Sequence, residues 1–116
     1  MKSKFLPLSF LLLFLLLSVS ACGAKESTDV KNDIVGKWVS DDKSLTLEFT
    51  AEQKIHSVYD AGNFTNTMDS DTIWMDDNTL LGVWEMNMTT WNVRIWGDKM
   101  ELKSDDGRKL IMYRSE

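Results

Sequence analysis

The chain is poor in three residues that often shape small domains: of its 116 residues, one is cysteine, one proline and one histidine. A single cysteine excludes a disulfide within the chain, so the folded part must depend on apolar burial for its stability. The only proline, Pro7, lies in an N-terminal apolar run, so proline interrupts no later strand. The lone histidine, His56, leaves no second imidazole for a histidine-rich metal site.

The residues of the common catalytic sites are also missing. There is no Gly-x-Ser-x-Gly motif, and we interpret His56 as a strand residue, so we predict that the protein is not an enzyme. Paired carboxylates such as Asp41-Asp42 lack EF-hand spacing and suit turns. Met86 and Met88 could ligate Cu(I), but alternate methionines on one strand face are typical of core filling. We therefore expect neither a metal nor a cofactor.

The charge is acidic on balance. Asp and Glu number 18 against 13 Lys and Arg, which gives a formal net charge of −5. Two of the basic residues, Lys2 and Lys4, precede the apolar run and would leave with a cleaved leader. A net-negative domain argues against nucleic acid or anionic lipid headgroups as its main partners.

The first 22 residues are typical of an exported protein. A basic start, the apolar run 5–17 and small residues before Cys22 indicate a secretory signal peptide over 1–21. The run is shorter than the roughly 20 residues that a spanning helix needs. Val19-Ser-Ala-Cys22 resembles the lipobox of bacterial lipoproteins. The resemblance implies cleavage before Cys22, a diacylglyceryl thioether on its sulfur and, usually, an acylated amino group. It also implies a lipid anchor in the cell membrane or outer membrane, with the protein on the extracytoplasmic side.

Two further segments follow the predicted leader. Residues 22–33 are polar and lack periodicity, so we expect a flexible tether. From Ile34 the hydrophobic period is close to two, and Leu45–Phe49 alternates cleanly between two faces. Asp, Asn and Gly break the segments at even spacing. We predict that 34–116 is one all-β domain of eight or nine antiparallel strands, closed as an up-and-down barrel or folded as a sandwich.

The alternation assigns most tryptophans to the inner face. One long strand is expected to present Leu80, Gly82, Trp84, Met86 and Met88 on one side, and the next to present Trp91, Val93 and Ile95. Trp96 has the opposite register and precedes a turn. We therefore predict that Trp96 is exposed and contacts a ligand or partner.

Gly36-Lys37-Trp38 resembles the Gly-x-Trp motif that opens lipocalins and related calycins. In that family the tryptophan lies across the barrel floor, and an arginine from near the end of the domain packs on it. The resemblance implies that Gly36, Trp38 and Arg114 close the base of a small lipocalin-like barrel through a cation–π contact. The run from Val93 to Arg114 is similar to small lipocalin-like domains of bacterial lipoproteins.

Two functions remain open at this point. The resemblance implies a membrane-anchored module that binds a small apolar or amphipathic ligand, although short strands would also allow side chains to fill the barrel. The acidic charge favours an alternative, an envelope protein-interaction module that captures a cationic peptide or protein as an inhibitor or immunity factor.

Overall fold

The computed structural model of the chain describes residues 24–86 and 88–115, so the predicted signal peptide and Cys22 lie outside the described residues. It contains one short helix, α1 (Val30–Asp33), which is neither long nor apolar enough to cross a membrane. The strands are β1 (Gly36–Ser40), β2 (Leu45–Phe49), β3 (Lys54–Asp60), β4 (Thr65–Asp71), β5 (Thr79–Leu81), β6 (Thr90–Trp96), β7 (Lys99–Ser104) and β8 (Lys109–Ser115).

All eight strands belong to one curled antiparallel sheet with the order β4-β3-β2-β1-β8-β7-β6-β5. This is the strand order of an up-and-down barrel, so the predicted all-β class and architecture are confirmed. Among the described strands no ladder joins β4 to β5, so the barrel is open along one side.

The chain itself crosses this opening just after β4. The amide of Thr72 donates to the carbonyl of Gln53 at 2.8 Å, on the β3 side. The carbonyl of Ile73, the next residue, accepts from the amide of Leu81 at 2.9 Å, on the β5 side. Residues 72–73 therefore link the two margins of the sheet.

The core lies on the concave face and follows from the period-two pattern. In β6, residues Trp91, Val93 and Ile95 are buried, while Asn92 and Arg94 between them are exposed. The other strands contribute their alternate residues to the same apolar cluster, because successive side chains of a strand point to opposite faces. The largest fully buried side chains are Trp38, Ile34, Leu47, Ile55, Leu80, Ile95, Met100, Leu102, Met112 and Val93.

The turns lie where the polar residues predict them. Trp96 pairs with Lys99 across a two-residue turn, in which Gly97 has a φ of +56° that glycine adopts without steric cost. After β1, the carboxylate of Asp42 accepts from the Ser44 amide at 3.0 Å and from the Ser40 hydroxyl at 2.7 Å. These bonds lower the pKa of Asp42 from 3.8 to about 2, the Ser44 amide having the largest effect.

The long strand predicted around Trp84 is wrong. β5 ends at Leu81, and Met86 is fully exposed. The amide of Gly82 donates to the carbonyl of Thr89 at 2.8 Å, which closes a loop over residues 82–89. The alternation fails here because this segment pairs with itself rather than with a neighbouring strand.

The structure also differs from the flexible tether expected over 22–33. Glu26 forms a β-bridge with Trp96, and the amide of Ser27 donates to the carbonyl of Ile95 at 2.7 Å. Val30 of α1 is buried with Ile34 in the core. Two apolar side chains are enough to dock this otherwise polar segment on the sheet.

The two ends of the curled sheet differ. The closed end comprises α1, the start of β1, the end of β8 and the β6–β7 turn. The open end comprises the turns that follow β1, β3 and β7, together with the loop 82–89. Only the closed end is covered, because α1 and Ile34 pack beneath it.

Candidate binding site

A cavity of about 540 Å³ lies at the open end of the sheet. This volume is in the range of small-molecule sites, about 300–1,000 Å³. The cavity is reached from the open end, which no part of the described chain covers. Its walls come from three turns, the loop 82–89 and the adjoining strand ends: Ser44, Leu45, Tyr59, Asn66, Trp84, Glu85, Trp91, Arg108, Lys109 and Leu110.

Two indole rings form the apolar wall. The ring centroids of Trp84 and Trp91 are 6.1 Å apart, with 30° between their planes. Trp91 is buried by its register in β6, whereas Trp84 is half-buried. Gly82 allows this arrangement, because a Cβ there would lie 2.6 Å from Nε1 of Trp91 and 2.8 Å from the carbonyl oxygen of Thr89. Aromatic rings at this separation bury large apolar areas and hold a defined geometry.

Glu85 places a carboxylate beside the indoles. Its Oε2 accepts from Nε1 of Trp91 at 3.1 Å, and its Oε1 accepts from Nη1 of Arg108 at 2.7 Å. The Glu85 side chain is 20% exposed and that of Arg108 is 45% exposed, so the pair remains accessible to solvent. Its charges can therefore exchange partners at low cost.

Arg108 completes the site from the turn that precedes β8. Its guanidinium carbon lies 5.1 Å from the centroid of Trp91. Hydrogen bonds first to Glu85 and then to Asp106 raise the pKa of Arg108. The Ser104 hydroxyl and then Arg108 lower the pKa of the Asp106 carboxyl. The apolar wall of indole rings thus carries the guanidinium of Arg108 and the carboxylate of Glu85 at its edge. This arrangement accepts an amphipathic molecule.

Apolar side chains surround the mouth of the cavity. Tyr59 and Phe64, at the β3–β4 turn, have ring centroids 6.4 Å apart, and Phe64 is 58% exposed. Met88 is 56% exposed in the loop 82–89. A group of exposed apolar residues beside a cavity is typical of a binding surface.

The structure brings Gly36, Trp38 and Arg114 together at the closed end. The guanidinium carbon of Arg114 lies 4.1 Å from the centroid of Trp38, which is fully buried. Nε1 of Trp38 donates to the carbonyl of Ile34 at 2.7 Å. Gly36 has a φ of +134°, and a Cβ there would lie 2.9 Å from Nη1 of Arg114. Arg114 therefore packs on Trp38 as a cation–π contact at this end, and the lipocalin resemblance itself stays a prediction.

Trp96 lies away from the cavity, on the convex face at the closed end. It is half-buried, Arg94 stacks on it at 4.6 Å, and Glu26 is its bridge partner. Arg94 donates to Oε1 of Glu26 at 2.7 Å, and this bond lowers the pKa of Glu26. The role of Trp96 as a contact residue stays a prediction. Lipidation of Cys22, which lies outside the described residues, also stays a prediction.

The sequence patterns missed two residues of the cavity, Glu85 and Arg108. Their side chains meet although the two residues are 23 positions apart in the chain, and no local motif records such a contact. The inward register assigned to Trp84 and Trp91 was the available signal, because both rings lie in the cavity wall. Among residues 24–86 and 88–115 no three His, Cys, Asp or Glu side chains converge as metal ligands.

Comparison with known proteins adds no assignment: no family model matches the chain, and no curated protein matches it.

Proposed function

We propose that this chain is a membrane-anchored lipoprotein whose lipocalin-like domain binds a small amphipathic ligand at the open end of the sheet. The anchor is the acylated sulfur of Cys22, in the cell membrane or outer membrane, with the domain on the extracytoplasmic side. The main observation in favour of ligand binding is the cavity wall formed by Trp84 and Trp91, which carries the Glu85–Arg108 pair at its edge.

Three properties of the cavity support this proposal. Leu45, Leu110 and the two indoles supply apolar walls, whereas Asn66 and Ser44 supply hydrogen-bonding groups. Ligand sites of proteins are concave and mostly apolar, with a few placed polar groups. The opposite end is filled by Trp38 and α1, so a ligand cannot enter through that end.

The binding proposal is tested with anilinonaphthalene sulfonate, an amphipathic anion whose fluorescence rises in apolar surroundings. We expect the full chain in detergent micelles to bind the dye in a saturable way above the micelle background. Trp84→Ala should weaken binding about tenfold, since a stacking aromatic side chain is lost from the cavity. Trp96→Ala is the matched control, because it removes an indole from the convex face.

Two results would contradict the proposal. One is dye binding that Trp84→Ala leaves unchanged. The other is an equal loss in the Trp84→Ala and Trp96→Ala variants, which would mean that the dye reports general loosening. The anchor is tested separately, by mass spectrometry of the protein extracted from its own membrane. An unmodified sulfur on Cys22 would exclude the lipid anchor and leave the binding result intact.

A further inference from the structure

The strand β4 has an edge without a partner, and Asn66 is the one residue of this strand that also lines the cavity. β4 pairs with β3 through seven consecutive residues, Thr65–Asp71. On its other side, no backbone partner occurs within the described part of the chain. β5, at the opposite margin of the sheet, is covered by the segment 73–75, which bonds to it through Ile73, Trp74 and Met75.

The register fixes which groups point to the unpaired side. In an antiparallel pair, residues that exchange hydrogen bonds alternate with residues that do not. The amide of Thr72 donates to Gln53, and the carbonyl of Phe64 accepts from Ala61. Residues 64, 66, 68, 70 and 72 therefore point their amides and carbonyls at β3. Those of Thr65, Thr67, Asp69 and Asp71 point away from it, as a row that can pair with another strand.

The side chains along this edge have two distinct faces. Asn66, Met68 and Ser70 share the concave face, opposite Tyr59, Ser57 and Ile55. Met68 is 38% exposed, because nothing covers it on the unpaired side. The convex face carries two threonines followed by Asp69 and Asp71.

The carboxylates on the convex face are contacted from β3 only. Asp69 pairs with His56, and Asp71 pairs with Lys54. An ionised carboxylate has about four acceptor positions, so each can also accept from a group on the unpaired side. β4 itself contains no basic residue, and a depression of about 470 Å³ lies beside Lys54, Asp69, Ser70 and Asp71.

We infer that the β4 edge binds an extended cationic segment of a partner protein by strand addition. Strand addition to an exposed edge is a common mode of peptide recognition, in which the backbone gives affinity and alternate side chains give specificity. The added strand presents Lys or Arg opposite Asp69 and Asp71 on the convex face. Its intervening residues are apolar and cover Met68 on the concave face. This site adjoins the proposed ligand cavity at Asn66, but its backbone groups and its carboxylates lie outside the cavity lining.

The charge of the chain favours this partner over a second copy. The whole chain has a formal net charge of −5, so two copies repel each other at long range. A β4–β4 pair would also bring the four carboxylates of the two edges close together. A basic strand removes both costs, because cross-strand pairs of opposite charge stabilise a sheet.

The test uses a seven-residue peptide of alternating Lys and Val, acetylated and amidated, added to the full chain in detergent micelles. The matching Glu–Val peptide is the charge control. Thr67→Pro removes an amide that points away from β3, so the β3–β4 ladder keeps its bonds, and proline is tolerated at such edge positions. Thr67→Ala keeps the amide and serves as the matched control.

We expect Thr67→Pro to weaken binding of the Lys–Val peptide about tenfold or more, and Thr67→Ala to change it by less than about twofold. Asp69→Asn with Asp71→Asn should weaken binding and reduce its dependence on salt. Amide hydrogen exchange gives a readout that needs no variant. The peptide should slow exchange at Thr65, Thr67, Asp69 and Asp71, while residues 66, 68 and 70 are already slow without it.

Equal binding by Thr67→Pro and Thr67→Ala would overturn the inference, as would equal binding of the two peptides. Peptide-induced protection that ignores the alternation would exclude strand addition even if Thr67→Pro failed to fold. A dimer that Thr67→Pro converts to monomer, without peptide binding, would assign the edge to a second copy. Dye binding at the cavity should survive Thr67→Pro, so failure at one site is distinguishable from failure at the other.

Discussion

An arginine packs on a tryptophan at each end of the sheet, but the two pairs have different surroundings. At the closed end, Arg114 donates to the carbonyls of Val35 at 3.1 Å and Asp33 at 2.9 Å. At the open end, Arg108 bonds to the carboxylates of Glu85 and Asp106 and to the hydroxyl of Thr89. The guanidinium of Arg114 is therefore held mainly by backbone carbonyls, with the Asp98 carboxylate 3.5 Å from its Nε, whereas that of Arg108 is held by side chains.

This difference separates a structural contact from an adaptable one. Backbone carbonyls at the closed end are fixed by α1 and the strands, so most partners of Arg114 cannot move, and only the exposed Asp98 carboxylate, 3.5 Å from its Nε, is free to rotate. Carboxylates on half-exposed side chains can rotate, and Arg108 can then bond to an incoming group instead. The Arg114–Trp38 pair thus closes the barrel at one end, whereas the Arg108–Trp91 pair provides an adjustable polar edge at the other.

Trp38→Ala should show the largest effect of any single change. Trp38 is fully buried, and its packing is lost in the variant. We therefore expect the free energy of unfolding to fall by about 3–5 kcal/mol. Trp84→Ala, at the open end, should lower the free energy of unfolding by only about 1–2 kcal/mol, because this ring is half-buried. Urea unfolding followed by far-ultraviolet circular dichroism measures both.

An equal loss of unfolding free energy in Trp38→Ala and Trp84→Ala would contradict the proposed difference between the two ends. If Trp38→Ala does not fold, Trp38→Phe removes the bond from Nε1 to Ile34 while keeping a ring, and should still cost more than Trp84→Phe.

Arg114→Met should destabilise the protein by about 2–3 kcal/mol, since it removes hydrogen bonds to carbonyls and a cation–π contact. Arg108→Met should have a much smaller effect on unfolding, because its ion pairs are exposed to solvent. It should instead change dye affinity at the cavity. Greater loss of stability in Arg108→Met than in Arg114→Met would reverse the comparison.

Gly36→Ala should destabilise the protein by about 1–3 kcal/mol, because a side chain is strained at φ +134° and its Cβ would press on Arg114. Gly82→Ala tests the equivalent close approach at the open end. It should shift the indole NH resonance of Trp91 and weaken dye binding, because the added methyl occupies the space of Nε1. An unchanged Trp91 resonance would show that the loop 82–89 moves instead.

Acid should weaken the turn that follows β1, at the open end. The folded-state pKa of Asp42 is lowered to about 2 from 3.8, so its contribution to stability is present above pH 3.8 and is lost as pH falls toward 2. The pKa of Asp106, at another turn of the open end, is lowered too. The protection factor of the Ser44 amide, which is its intrinsic exchange rate divided by the observed rate, should therefore fall between about pH 4 and 2. In Asp42→Asn this pH-dependent fall should be absent, and its persistence would assign the effect to other groups.

Much of the fold was predictable because strands with one buried face must alternate. Trp91, Val93 and Ile95 lie where the period-two pattern puts them, and Gly97 lies in the turn predicted after Trp96. The loop 82–89 was not predictable, since its apolar residues continue the alternation of β5 while its backbone bonds close on themselves. Docking of residues 26–33 depended on the burial of Val30, which a polar composition conceals.

The candidate site was less predictable than the fold. Its tryptophans could be placed from register, but the Glu85–Arg108 contact joins a loop and a turn far apart in the chain, and only the sheet order, in which β6, β7 and β8 are neighbours, brings them together. The opening between β4 and β5 has no sequence signal either, because β4 alternates polar residues on both faces.

The central position of the β1–β8 ladder has a consequence for how the protein is made. The bonds from Arg114 to Asp33 and Val35 join residues 81 and 79 positions apart. Strands β1–β4 and strands β5–β7 therefore cannot join into one sheet until β8, which pairs with β1, has been synthesised. Contacts of such long sequence separation slow folding. We therefore expect the nascent polypeptide to stay unfolded through most of its synthesis, which is the state that the proposed export through a secretion pore requires.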